Sequence, residues 1–117
     1  MTKDNLLYIK DIQNSLEWIL NVYLLNVDYI DFVNDNKTQD AVIRQMEIIG
    51  EAMNRLSDDF LLEHGELPFR EAISMRNFLI HEYNMVDIDE LWKTIHNDLP
   101  TLSIIVNKIL AKHTDDK

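Results

Sequence analysis

At 117 residues the chain is long enough to bury roughly two thirds of its unfolded surface and to hold one core without staples, so a second domain is not required. Its 46% hydrophobic and 27% charged residues, with only two Gly and two Pro, give the balance of an all-helical globular protein, and the absence of cysteine excludes disulfides, thiolate nucleophiles and cysteine-based zinc sites. With 21 acidic residues against 11 basic ones the formal net charge is −10, which repels nucleic acid at long range and demands a locally gathered cationic patch, or one assembled by oligomerisation, for any such partner.

The N-terminus has no basic stretch leading into an uninterrupted apolar run, and no apolar run reaches spanning length, so a cytoplasmic protein without membrane attachment is expected. From Leu6 to Val33 apolar residues recur at Ile9, Ile12, Leu16, Ile19, Tyr23, Val27 and Ile30, which predicts one long first helix. Asn34 to Lys37 is turn-prone, and Thr38, one of several possible N-caps, precedes a second stripe at Val42, Met46, Ile49, Met53 and Leu56 that should end near Ser57. The span from Asp58 to Pro68 reads as a connection with one helical turn at Phe60 to Glu63. A third helix is predicted from Phe69 to about Tyr83, with Pro68 at or just before its first turn. Asp87 to Asp89 offer caps for a fourth helix carrying Ile88, Leu91, Trp92 and Ile95 as far as Leu99. Pro100 permits a kink or a fresh start, a last stripe runs from Leu102 to Leu110, and residues 113–117 read as a flexible polar tail. One domain over 1–117, an antiparallel bundle of four to five helices, is the economical architecture.

The third helix carries the most informative residues. Within two turns lie Arg76, a permanent cation with a planar fork of donors suited to phosphate, His81, an imidazole that passes protons near neutral pH, and Tyr83, whose hydroxyl can bond or be modified. The trio calls for no metal and no cofactor. At about 100° per residue Arg76 and Tyr83 fall within about 20° of one another, while His81 lies about 140° away. Either the helix unwinds near His81, or long side chains bend inward, or a second subunit completes the site across a two-fold interface. For RNA the simplest reaction is attack of the 2′-hydroxyl on the adjacent phosphate, with His81 exchanging protons, Arg76 stabilising the phosphoryl oxygens and Asn77 orienting either group. Such a reaction spares DNA. The bland alternative has Arg76 paired with a carboxylate, His81 at a helix end and Tyr83 packing its ring while wetting its hydroxyl.

The segments Asp40 to Arg44, Ile48-Ile49-Gly50-Glu51-Ala52 and Met75-Arg76-Asn77 to His81-Glu82-Tyr83, with the later Leu91-Trp92 and Asp98-Leu99-Pro100, resemble the HepT-like branch of the HEPN superfamily over roughly residues 5 to 110. The most specific part is Arg-x4-His-x-Tyr after the Ile-Ile-Gly-Glu-Ala helix. The resemblance implies a HEPN-like bundle that dimerises through the motif-bearing helix, or assembles further from dimers. It also implies an endoribonuclease toxin of a toxin–antitoxin pair, in which Arg76 and His81 match the catalytic positions. The implied partner is an MntA-like minimal nucleotidyltransferase antitoxin that transfers AMP to the motif tyrosine, here Tyr83, and so blocks the phosphate site by charge and bulk. Two departures from the family pattern are Phe69 where Trp is frequent and Ser74 where Gly is frequent. The rival readings are a non-catalytic adaptor that binds a nucleotide or a nucleotidyltransferase, and a structural dimer whose motif merely builds the interface.

Three further features carry expectations. Arg44 and Arg55, eleven positions apart, share a face of the second helix and either extend a phosphate track or neutralise Glu47, Glu51 and Asp58. Gly50, in mid-helix, costs about 1 kcal/mol relative to Ala and points to close approach by another helix. His64, His96 and His113 show no metal-binding spacing, and no metal site is assigned.

Overall fold

The structure, a computed structural model, describes residues 2–115, with side chains from 4 to 113. It is all-helical among the described residues, with principal extents of 46 × 29 × 19 Å. Helix α1 spans Thr2–Glu17 and runs on into a π-helical segment, Trp18–Tyr23. Ile9, Ile12, Leu16 and Ile19 bury the stripe foreseen for it, but the chain then departs from the single long helix expected through Val33. The Leu24 N–H donates to the Ile19 carbonyl at 3.1 Å, a wide i→i+5 turn, and Asn26 takes a left-handed φ of 59°, a conformation asparagine tolerates better than most residues. Asp28 restarts the chain by accepting from the Asp31 N–H at 2.9 Å, giving the short α2, Tyr29–Val33. The buried residue there is Phe32, against Trp92, whereas Ile30 is left 68% exposed.

Helix α3, Asn36–Arg55, is capped by Asp35 rather than Thr38. Asp35 Oδ1 accepts from the Thr38 N–H at 3.1 Å and Oδ2 from its hydroxyl at 2.6 Å, so Thr38 is the recipient of the cap. The buried Gln39 donates to the Phe32 and Val33 carbonyls at 2.8 and 3.0 Å, adding a second donor to the Phe32 carbonyl, which also accepts from the Asp35 N–H at 3.2 Å, and supplying one to Val33 at the end of α2. Helix α4, Asp58–Glu63, starts two residues before the expected turn because Ser57 caps it, accepting from the Phe60 N–H at 3.2 Å. Asn5 holds Ser57 on both sides, donating to its Oγ at 3.1 Å and accepting from its N–H at 3.0 Å, which ties α1 to α4.

Helix α5, Phe69–His81, ends two residues short of Tyr83, which opens a 3-10 turn, Tyr83–Met85. Asp87 caps α6, Ile88–Asn97, as foreseen, accepting from the N–H groups of Asp89 and Glu90. Helix α7, Leu99–Asp115, is a fresh start at Pro100, whose missing N–H falls in the first turn where no intrahelical acceptor exists. This helix continues past His113, so the flexible tail expected over 113–117 is corrected for 113–115, while residues 116 and 117 lie outside the described residues.

The five longer helices make up the bundle and the two short ones sit in its connections. Helix α3 is central, packed on α5 and on α1, which in turn lies against α7. Ile9, Ile12, Phe32, Val42, Met53 and Ile95 are fully buried at this junction. The tightest approach is at Gly50, where a Cβ would overlap that of Arg76 and lie only 2.7 Å from the Ala72 carbonyl oxygen. The mid-helix glycine therefore marks the crossing of α3 and α5, as its position suggested, and the residue it admits on the far side is the motif arginine.

Candidate functional site

Because α5 crosses α3 at Gly50, Arg76 leaves the helix crossing already directed along the surface of α3. Its side chain is 26% exposed, Nη2 lies 2.7 Å from Glu51 Oε2, and Nη1 donates to Asn77 Oδ1 at 2.8 Å. Its Nε is buried and has no partner among the described residues. Glu51 uses its other oxygen on Arg55, 3.7 Å from Nη2, and Arg44 pairs with Glu47 at 3.4 Å. Arg44, Arg55 and Arg76, three of the four arginines of the chain, line one open cleft of about 380 Å³ between α1, α3 and α5. Tyr8 and Ile80 complete its apolar side, and Asp11, Glu47 and Glu51 supply its carboxylates. A strongly acidic protein thus gathers cations at one place, with each arginine held by a carboxylate.

The remaining motif residues lie at the end of α5. His81 is its last residue, exposed, and makes no side-chain hydrogen bond or ion pair among the described residues. Since α5 remains helical through His81, the separation from Arg76 around the helix persists, and His81 does not line the arginine cleft. The helix does unwind near His81, but only beyond it, so the unwinding does not bring the imidazole round to Arg76. Unwinding follows at Glu82, whose φ of −124° ends the helix and whose N–H still reaches the Phe78 carbonyl at 2.8 Å. Tyr83, half exposed, donates a short hydrogen bond to Asp40 Oδ1 on α3. That bond holds the phenol above its ordinary ionisation range, with partial burial and the negative charges of Asp40 and Glu47 adding to the effect.

Two partners went unforeseen. Glu51 was expected beside Arg44 and Arg55, yet its shorter contact is with Arg76, and the available signal was its place next to Gly50. Asp40 meets Tyr83 only because α3 and α5 pack together, and a separation of 43 positions leaves no local trace of it. Asn77, expected to orient the phosphate or the imidazole, accepts through Oδ1 from Arg76 and makes no hydrogen bond with His81 among the described residues. Around the motif Phe78, Ile80 and Met85 are exposed by 41, 44 and 69%. Among the other candidates, Trp92 is half-buried against Phe32, Trp18 is exposed and stacked on Tyr23, and His96 meets the Trp92 carbonyl at 2.9 Å. No helix among the described residues is long and apolar enough to cross a membrane.

Comparison with known proteins finds relatives named as ribonucleases. A protein named "Probable ribonuclease HepT" from Thermococcus cleftensis is 44% identical over 95 residues, covering 81% of this chain and 86% of its own. A "Putative RNase" from Caldanaerobacter subterraneus is 35% identical over 105 residues, 90% of this chain and 93% of its own. A Methanocaldococcus jannaschii protein named "Gamma-glutamylcyclotransferase and putative RNase" is 34% identical over all 117 residues, which span 52% of its length. No solved structure matches the chain. The family model described as "Ribonuclease HepT-like" matches residues 8–109, a stretch that includes the arginine cleft, the Gly50 crossing and the whole Arg76-to-Tyr83 motif, and the chain belongs to that family.

Proposed function

We propose that the protein is a metal-independent endoribonuclease acting as the toxin of a toxin–antitoxin pair. The observation that carries this reading is the Arg76, His81 and Tyr83 motif, set within a HepT-like match and accessible at the end of α5. Arg76, with Asn77 fixing one side of its guanidinium, binds the scissile phosphate and stabilises the charge that develops on its oxygens. His81 exchanges protons with the attacking 2′-hydroxyl and the departing 5′-oxygen, so the products carry a cyclic phosphate and a free hydroxyl. Arg44 and Arg55 extend the phosphate track along the cleft, with incoming phosphates displacing Glu47 and Glu51 from the three arginines.

Separation of Arg76 from His81 around α5 supports a site completed by a second copy. The exposed Phe78, Ile80 and Met85 provide apolar surface for a dimer built on this helix, and Arg76 of one subunit then works with His81 of the other. Tyr83 is the acceptor of AMP from an MntA-like nucleotidyltransferase. Tyr83 is half exposed, and its hydroxyl, giving up its proton toward Asp40, attacks the α-phosphate of ATP with release of pyrophosphate, so that the added phosphate brings negative charge toward the arginines.

Incubation of total RNA in EDTA with unmodified protein and with His81→Ala, both verified by intact mass, tests the reading. Cleavage by the wild type alone, leaving cyclic-phosphate ends, is expected. Equal cleavage by His81→Ala removes the imidazole from the mechanism, and no cleavage by a folded, unmodified dimer favours the nucleotidyltransferase-binding adaptor.

A further inference from the structure

Outside the arginine cleft, α4 and α7 bring two histidines and a glutamate together. His64, the residue that ends α4, is 4% exposed, and its Nε2 is buried without a hydrogen-bond partner. His113 on α7 also has a buried Nε2 without a partner. One donor atom from each of Glu63, His64 and His113 lies within 4.8 Å of the others. Two buried, unsatisfied ring nitrogens facing one carboxylate form an incomplete arrangement, because an unmade bond at a buried polar atom costs about 1–3 kcal/mol.

We propose that Glu63, His64 and His113 form a zinc site that clamps α7 onto α4. Nε2 of each histidine and Oε2 of Glu63 supply three ligands, and water supplies the fourth. The donor set of two imidazoles and one carboxylate suits a tetrahedral Zn²⁺. Its ligand atoms stand roughly 3.3 Å apart at ordinary bond lengths. Closing from the present spacing requires shifts of about 1 Å or less per side chain, mostly by the exposed and flexible Glu63.

The surroundings are suited to this role. His64 Nδ1 lies 3.7 Å from Glu66 Oε1, the carboxylate that would take the second ring N–H and leave Nε2 for the metal. Phe60 packs on the His64 ring at 4.4 Å and on the His113 ring at 6.2 Å, restricting both imidazoles. Lys112 Nζ stands 4.0 Å from Glu63 Oε1, leaving the other oxygen, 4.0 Å from His64 Nε2, turned toward the site. Sequence spacing could not show this arrangement, because His64 and His113 are 49 residues apart and meet only through the packing of the two helices. The clamp is structural and independent of the proposed RNA chemistry.

Titration of tag-free, chelator-treated full-length protein with Zn²⁺, and with Co²⁺ as a coloured probe, tests the proposal. One equivalent should bind per chain, Co²⁺ should give the strong visible bands of four-coordination, Zn²⁺ should raise Tm, and Mg²⁺ should do neither. His113→Ala should bind Zn²⁺ at least about tenfold more weakly while the apo protein unfolds as before, and Glu66→Gln should lose about tenfold in affinity. If His113→Ala folds poorly, Glu63→Gln, altered at an exposed position, should show the same loss. Failure of the wild type to bind one equivalent, or unchanged binding by the folded His113 or Glu63 variant, overturns the site.

Discussion

Gly50→Ala probes the joint from which Arg76 emerges. The new methyl would overlap the Arg76 Cβ and stand 2.9 Å from Arg76 Cγ and 2.7 Å from the Ala72 carbonyl oxygen, whereas carbon contacts settle at about 3.5–4.0 Å. The Ala72 oxygen and the Arg76 Cβ are rigid parts of α5, so relief requires the two helices to part by about 1 Å. Overpacking of this kind costs about 1–3 kcal/mol, and backbone-fixed neighbours place it at the upper end. Removing a mid-helix glycine returns about 1 kcal/mol, which leaves a net loss of about 2 kcal/mol. For a domain of this size that is a fall in Tm of about 8 °C. Thermal unfolding followed by circular dichroism measures it, with Gly65→Ala as the control because a Cβ there meets nothing within 4 Å. A Gly50→Ala protein with unchanged or raised Tm would refute the close crossing.

Other changes have separate readouts. Arg76→Lys keeps the charge but loses the fork, and kcat for RNA cleavage should fall about 100-fold with little change in Tm; near-normal turnover would show that charge alone suffices. Asp35→Ala removes the cap of α3 and should cost about 1 kcal/mol in urea unfolding, and a loss below a few tenths would mean that Thr38 or water takes over the cap. Gln39→Met removes the side-chain donor from the Val33 carbonyl and leaves the Phe32 carbonyl with the Asp35 N–H alone, and should cost about 1 kcal/mol; a neutral result would show water replacing the amide. The Tyr83 phenol ionises above its ordinary value of 10.0 because Asp40 accepts its hydrogen. Its contribution to stability is therefore whole below about pH 10 and disappears as pH rises through the higher folded value. Asp40→Ala should return the Tyr83 titration, followed by NMR of ring-labelled tyrosine, toward the ordinary range, and an unmoved curve would remove Asp40 as the cause.

Much of this architecture was legible locally. The stripes of α1, α3 and α6, the Asp87 cap and the new start at Pro100 follow from periodicity and backbone chemistry, and Gly50 announced its helix crossing through the absence of a side chain. The failure over residues 24–33 is instructive, because Tyr23, Val27 and Ile30 continue the apolar spacing although the helix does not. A π turn shifts every later residue around the axis, and a left-handed Asn26 costs too little to be flagged by Gly or Pro. At the candidate site, motif spacing singled out Arg76, His81 and Tyr83, of which Arg76 alone lines the cleft with Arg44 and Arg55, and the helical spacing of those two matches their ion pairs with Glu47 and Glu51. Glu51 and Asp40 acquire their partners from the packing of α3 on α5, which no local pattern encodes.

Glu51 reaches two arginines with its two oxygens, and this gives the cleft an occupant of its own. Under the proposed function, an RNA phosphate entering there would exchange places with a tethered carboxylate that returns whenever the phosphate leaves. Added salt weakens the resident ion pairs along with the incoming ones, so the salt dependence of RNA affinity should be shallower than three arginines acting on a bare polyelectrolyte would give. In the proposed mode of binding the tethered carboxylate is an internal competitor that favours release of a cleaved strand over its retention.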